Sequence, residues 1–299
     1  AIVSLLFSCN KQEDSITTTD GDLAQNVGKR GCYSDEHLKN QLAADPTLAN
    51  RMEEFELKAA EAIAHSRIVN GVIEIPVVVN VLYRTTAENI SLAQIQSQIA
   101  VLNKDFNATN SDYNTANNPY SSVRANVGIR FVLDQVIRKS TTKTSWGTND
   151  AMKKSASGGM AAVTPTTKLN LWVCTIGGGI LGYAQFPGGA SATDGVVIDS
   201  KYLGTTGTAT YPFNLGRTAT HEVGHWMNLR HIWGDATCGS DLVSDTPVHN
   251  AANSAVPAVG HRSTCTGTPL EMYMNYMDYT DDRGMYMFSN GQKSRMLAI

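Results

Sequence analysis

The apolar positions of this chain recur with two different periods, and the change from one to the other marks its elements. Residues 72–83 (VIEIPVVVNVLY) are a β-branched run of the kind buried on both faces of a sheet. Runs at 127–137, 169–176, 180–186 and 195–199 predict further strands, the run at 180–186 being closed by Pro187-Gly188-Gly189. Between the first two, Leu92, Ile95, Ile99, Leu102 and Phe106 keep helical spacing behind a capping box of Ser91 and Gln94. Asn214 or Thr218 can cap a later helix through residue 221, and Ser289 with Gln292 opens a last one. Strands alternating with helices predict an α/β fold: a twisted mixed sheet, a backing helix, and a mostly irregular region after residue 228.

The flanks read differently. Residues 34–66 are helical in pattern: Ser34 can cap one helix, and Pro46 can start a second whose face is Leu48, Met52, Phe55, Ala59 and Ile63. Residues 10–28 are polar and predict a tether. Residues 1–8 form an apolar run too short to span a bilayer, which reads as a signal-peptide remnant. Leu-Phe-Ser-Cys also fits a bacterial lipoprotein cleavage box that would place a lipid on Cys9; an ordinary signal-peptide tail is the plainer alternative.

Composition narrows the class. The 299 residues, 42% of them hydrophobic, allow one domain of catalytic size plus a smaller segment. A net charge of −3 with mixed signs gives no electrostatic case for nucleic acid. Five irregularly spaced cysteines rule against a dense disulfide scaffold. Cys174 reads as a buried, inert thiol, while a Cys238–Cys265 bridge across a loop-rich stretch suits an exported protein. His37, His65, His249 and His261 lack ligand spacing and read as surface histidines.

The chemistry concentrates at residues 221–231, HEVGHWMNLRH. Four residues apart on a helix, His221 and His225 face one metal ion, and Glu222 in the same turn can serve as a general base instead of a ligand. On a continued helix His231 would point well away, so the helix must end before it. Asn228 is the expected hinge, because Asn accepts the left-handed conformation that closes helices.

This stretch resembles the long zinc signature of the metzincin metallopeptidases, and HEVGHWMNLRHIWGD within it resembles the pappalysin/cytophagalysin family of secreted peptidases. One departure is Asn228, where that family usually carries Gly. The resemblance implies a bacterial secreted zymogen whose catalytic domain hydrolyses protein or peptide substrates with zinc. It makes Met277, in Met-Asp-Tyr, the Met-turn floor under the metal, with a plain core Met as the alternative. Tyr279 would then hydrogen-bond the oxyanion. It also makes Leu181, Gly182, Tyr183 and Ala184 the edge strand above the cleft, where a peptide can add as one more strand, with an ordinary edge strand as the alternative. Cys32, in Arg30-Gly31-Cys32, becomes the thiolate that caps zinc in the latent form; a free or bridged Cys is the alternative. Arg30 can pair with a cleft carboxylate. Asp241 and Asp245 can offer oxygens to a structural calcium, or make an ordinary turn. Asp281 and Asp282 follow the Met-turn near where that family's primed-side pocket forms, which implies a preference for Lys or Arg after the scissile bond; a solvated acidic turn is the alternative.

The expected division is 1–9 signal remnant, 10–68 tether and inhibitory propeptide, and 69–299 catalytic domain, with subdomains 69–228 and 229–299 and processing near Ser66-Arg67. The location is secreted or, through Cys9, on the bacterial envelope. A surface-anchored adhesion or peptide-binding module with structural zinc competes with this reading, and Glu222 argues against it, since a structural site needs no base. A zinc hydrolase of non-peptide substrates is a third reading, against which the edge strand stands.

Overall fold

The computed structural model describes residues 29–65 and 72–298. Cys9, the polar tether and the expected processing position at Ser66-Arg67 lie outside the described residues, as do the side chains of Ala59, Ile63 and His65.

Five strands make one mixed sheet in the order β2-β1-β3-β5-β4. β1 (Ile73–Tyr83) pairs in parallel with both β2 (Ile129–Ser140) and β3 (Leu169–Cys174), β3 pairs in parallel with β5 (Val196–Asp199), and the short edge strand β4 (Gly182–Ala184) runs antiparallel to β5. The central run Val77–Leu82 is buried throughout, as its β-branched composition requires of a strand covered on both faces.

Helix α3 (Leu92–Phe106) backs one face, with Ile95, Leu102 and Phe106 packed against Val79, Val81 and Phe131. Helix α4 (Arg217–Trp226) shares that core and lies against β4 and β5. Leu82, Trp146, Met152, Trp172 and Tyr183 close the opposite face. Among the described residues, 227–289 contain no α-helix or strand, and a last helix α5 (Asn290–Met296) follows, opened by the expected Ser289–Gln292 capping box. The Cys238–Cys265 disulfide and a small core of Ile232, Met272, Met274 and Met287 hold this region together. Before the sheet come α1 (Ser34–Ala44) and α2 (Leu48–His65), and residues 29–34 enter the cleft between the two regions.

Several local expectations need correction. Ser34 does not cap α1: Tyr33 is the N-cap residue, and the Ser34 hydroxyl bonds elsewhere. Neither Asn214 nor Thr218 caps α4. Its N-cap is Gly216 at φ 79°, and the carboxylate of Asp282 accepts from the amides of Leu215 (2.7 Å) and Arg217 (3.2 Å). A remote acid thus does what a local hydroxyl usually does. Ser91 caps α3 through Gln94 N, but the Gln94 amide crosses to the carbonyls of Ser200 and Leu203. His37 and His249 are buried, not surface residues: each supplies an internal bond that irregular backbone needs, His249 Nε2 accepting from Met272 N at 2.9 Å. His261 is exposed as expected.

Candidate active site

α4 ends where the sequence places its end. Asn228 has φ 70°, its amide donates to the His225 carbonyl, and Leu229 N donates back to the Gly224 carbonyl, both at 2.9 Å. These bonds close the helix and turn the chain so that His231 faces the two helical histidines.

The three side chains meet through their Nε2 atoms, with His225 Nε2 at 3.1 Å from those of both His221 and His231. Every Nδ1 has an acceptor: Tyr276 O for His221 at 2.6 Å, Leu229 O for His225 at 2.7 Å, and the Asp235 carboxylate for His231. The Nδ1 atoms therefore carry the protons, and three bare lone pairs converge. Nitrogens bound to one tetrahedral zinc stand about 3.3 Å apart, so the spacing fits a cation that the residues alone leave unbalanced. Burial, then the neighbouring histidines, holds His221 well below its usual range, and burial with His231 brings His225 down to about 3. Neutral imidazole is the form that binds metal.

Cys32 completes the group, its ligand atom and those of the three histidines lying within 4.8 Å of one another. Burial and the Glu222 carboxylate push its thiol well above the ordinary range, so a thiolate there needs a cation beside it. Burial also pushes the Glu222 carboxyl up to about 7, with hydrogen bonds from Ser34 and Cys32 pulling the other way. Ser34 Oγ donates to Glu222 Oε2 at 2.7 Å and accepts from Ala184 N at 2.8 Å. This contact is absent from the sequence reading. No sequence spacing marks it, because Tyr33 (φ −112°, ψ 10°) turns the chain out of the extended conformation between Cys32 and Ser34.

The segment around Cys32 sits on the edge strand. Leu181 N donates to Gly31 O at 2.7 Å and Tyr33 N to Gly182 O at 3.1 Å, a parallel bridge. Gly182 has a local reason: a Cβ there would stand 3.0 Å from Glu222 Cγ and 2.9 Å from Val197 O. Tyr183 and Ala184 belong to that strand; the Tyr183 side chain turns to the far face of the sheet, donating to Asp150, which also meets His37.

Tyr279 lies beside the histidines, its ring 4.9 Å from that of His231, and its hydroxyl donates to Cys32 O at 3.3 Å. Burial pushes its ionisation well up, which keeps the hydroxyl a donor. Met277 is buried against α4: a Cβ on Gly224 would meet its sulfur at 2.5 Å. Arg30 is buried with Nη2 2.5 Å from Asp282 Oδ1, Nη1 donating to Thr218 Oγ1 at 3.1 Å, and its guanidinium over the Phe213 ring. The cleft carboxylate is thus Asp282. Asp281, next to it in sequence, faces Arg283 at 3.9 Å and also feels the Arg30 charge.

Asp241 and Asp245 bond to different parts of the chain. Asp245 accepts from Ser289 Oγ at 2.6 Å and Gly291 N at 2.8 Å at the start of α5. Asp241 accepts from Thr246 Oγ1 and Val243 N, and Thr246 Oγ1 also lies 2.9 Å from Val243 O.

Against this geometry, residues 170–299 match the peptidase M43 family, described as pregnancy-associated plasma protein-A. An extracellular metalloprotease of Pyricularia oryzae is 36% identical over 257 residues, 80% of either chain. Among solved structures, a Tannerella forsythia promirolysin mutant matches with TM-score 0.81 and 40% identity over 90% of this chain and 93% of that one. Mature mirolysin in complex with a cleaved peptide matches with TM-score 0.72 and 44% identity over 75% of this chain and 90% of that one.

Proposed function

The chain belongs to the peptidase M43 family of zinc metalloproteases, as a secreted zymogen of the cysteine-switch type, and from that premise we propose how its own residues work. His221, His225 and His231 hold zinc, and Cys32 holds the remaining position until the propeptide leaves. When bound, zinc supplies Lewis acidity, lowering the pKa of water and polarising a carbonyl. Glu222 takes the proton from the attacking water and returns it to the leaving amine. Tyr279 donates its hydroxyl to the oxyanion, and Met277 packs the floor under the histidines. Residues 10–68 act as tether and inhibitor, 69–299 as the enzyme, with peptide substrates lying along residues 181–184.

The observation that carries the reading is the convergence of three proton-free Nε2 atoms beside a buried carboxylate. A structural site would need no such base. Replacing Glu222 with Ala tests it: zinc content per chain should stay at one while peptide hydrolysis by the processed enzyme falls by orders of magnitude. Retained hydrolysis would overturn the mechanism.

Arg30 supports the specificity proposal, because its guanidinium already fills a buried pocket ending in Asp282. Once it leaves, that carboxylate should select Lys or Arg after the scissile bond, and cleavage of a peptide library without basic enrichment there would reject the assignment. A structural calcium would take Asp241, with Thr246 Oγ1 and the Val243 carbonyl beside it, while Asp245 accepts from Ser289 and Gly291 at the start of α5. A lipid on Cys9 remains part of the proposal for a cell-envelope form, tested by labelling with a fatty-acid analogue.

A further inference from the structure

The propeptide grips the catalytic domain at a second place, which involves neither the three histidines nor Glu222. One face of α2 makes the contact. Leu48 is buried with Leu38 and Phe186, Met52 packs on Gly188, and Arg51 Nε donates to the Gly188 carbonyl at 2.8 Å. Further along the same face, Glu56 accepts from Arg295 Nη1 at 2.9 Å, from Arg295 Nη2, and from Asn228 Nδ2 at 2.9 Å. Residues 48, 51, 52, 55 and 56 recur on one side of a helix, while Glu53 and Leu57 face solvent. Beside Glu56, Phe55 reaches a cavity of about 430 Å³ whose other walls include Trp226, Met227, Met296 and Leu297.

The receiving half is organised by the catalytic domain alone. Arg295 Nε donates to the Asn228 carbonyl at 2.6 Å, which aims the two outer nitrogens of the guanidinium before any carboxylate arrives. Asn228 contributes twice, its backbone closing the zinc helix and its amide reaching Glu56. Gly would close that helix with less strain and would offer no side-chain amide to Glu56.

We propose that this strip is an exosite for one amphipathic helix carrying a carboxylate on its docking face, and that its occupant is α2 itself. A cut within residues 66–71 then breaks the tether without freeing the propeptide. The two ends of the fragment hold each other in place: while Glu56 stays on Arg295, the Cys32 segment rebinds the cleft at high local concentration, and the reverse. Activation therefore has a second step, in which the fragment is digested or displaced.

The inference rests on the reading of residues 29–65 as propeptide, and its test reads retention, not turnover, so it stands or falls apart from the catalytic roles. The full precursor, zinc-loaded and carrying Glu222→Ala to prevent self-digestion, is cut once within 66–71 by an added protease. Release of the fragment is followed by gel filtration. With Cys32→Ala added, the fragment should still travel with the catalytic domain. Adding Glu56→Ala as well should raise its dissociation rate about tenfold or more, with Glu56→Gln falling between because it keeps volume and loses charge. Glu56→Gln also serves if the Ala variant fails to fold. Loss of the fragment from the parent upon cutting, or equal release with and without the Glu56 change, would overturn the proposal.

Discussion

Above the cleft, residues 73–226 take their shape from strand pairing and apolar periodicity; below it, residues 227–289 have almost neither, and side chains bonded to backbone take their place. The two walls contribute to one site by different means. From above come two histidines and the base, fixed by 3.6-residue spacing on α4. From below come His231, Tyr279, Met277 and the carbonyl of Tyr276 that orients His221, each held by a few particular contacts. Asp278 shows the pattern, accepting from Asn253 N, Asn253 Nδ2 and Tyr279 N, all within 2.8 Å. In a wall built that way one substitution removes a large share of what holds a functional residue. The lower wall should therefore be the more sensitive to single changes.

The largest expected effect on stability tests that directly. Breaking Cys238–Cys265 by changing both to Ser releases a loop spanning 27 residues of sequence separation, worth about 3.5 kcal/mol on the chain-entropy estimate. Urea unfolding should show that loss, with zinc affinity weakened alongside it. A loss far below 1 kcal/mol would mean the lower wall is self-supporting.

Next comes a pH effect confined to the same wall. Burial pushes Asp241 up to about 6, against about 3.9 for an unfolded chain. Between those values the folded state holds the proton and the unfolded state has lost it, so the folded state binds more protons and stability falls as pH rises through the window. The difference amounts to at most about 3 kcal/mol. Asp241→Asn should flatten that slope relative to the parent without added calcium. Added calcium should restore the parent at pH 7 and leave the variant unchanged, measured as Tm. Asp105, also pushed up to about 6 by burial despite Arg217, contributes equally to both and cancels in the comparison.

Tyr279→Phe asks whether the lower wall takes part in chemistry as well as support. Removing only the hydroxyl should lower kcat of the processed enzyme about tenfold to hundredfold with KM little changed. A pure KM effect would reassign Tyr279 to substrate binding.

The contrast between the walls also explains what could be read in the sequence. Periodicity exposed β1, α3 and the paired histidines, because regular elements repeat in sequence what they repeat in space. His231 and the hinge at Asn228 were legible by exclusion, since a continued helix misaims the third ligand. Strand ends were less so: residues 180–186 read as one run, yet only Gly182–Ala184 pair as strand. The cap of α4 by Asp282, the burial of His37 and His249 and the Glu222 contact of Ser34 depend on residues tens to hundreds of positions apart. No local spacing encodes such a meeting.

Asn228 lies where the two walls join, and changing it has the smallest expected effect. At φ 70° a β-branched side chain is crowded, so Asn228→Val should cost about 1–2 kcal/mol, whereas Asn228→Ala, unbranched at Cβ, should cost less. The strain acts on two ligands together. Leu229, the next residue, supplies the carbonyl that orients His225, and the same turn aims His231. If the chain relaxes by opening the turn, the energy appears as metal affinity instead of global stability, and zinc should bind about tenfold more weakly. Competition with a chelator of known affinity separates the two outcomes, because global unfolding shifts the midpoint in denaturant and local opening does not. Equal zinc affinity and equal stability in the Val variant would place the hinge at another residue.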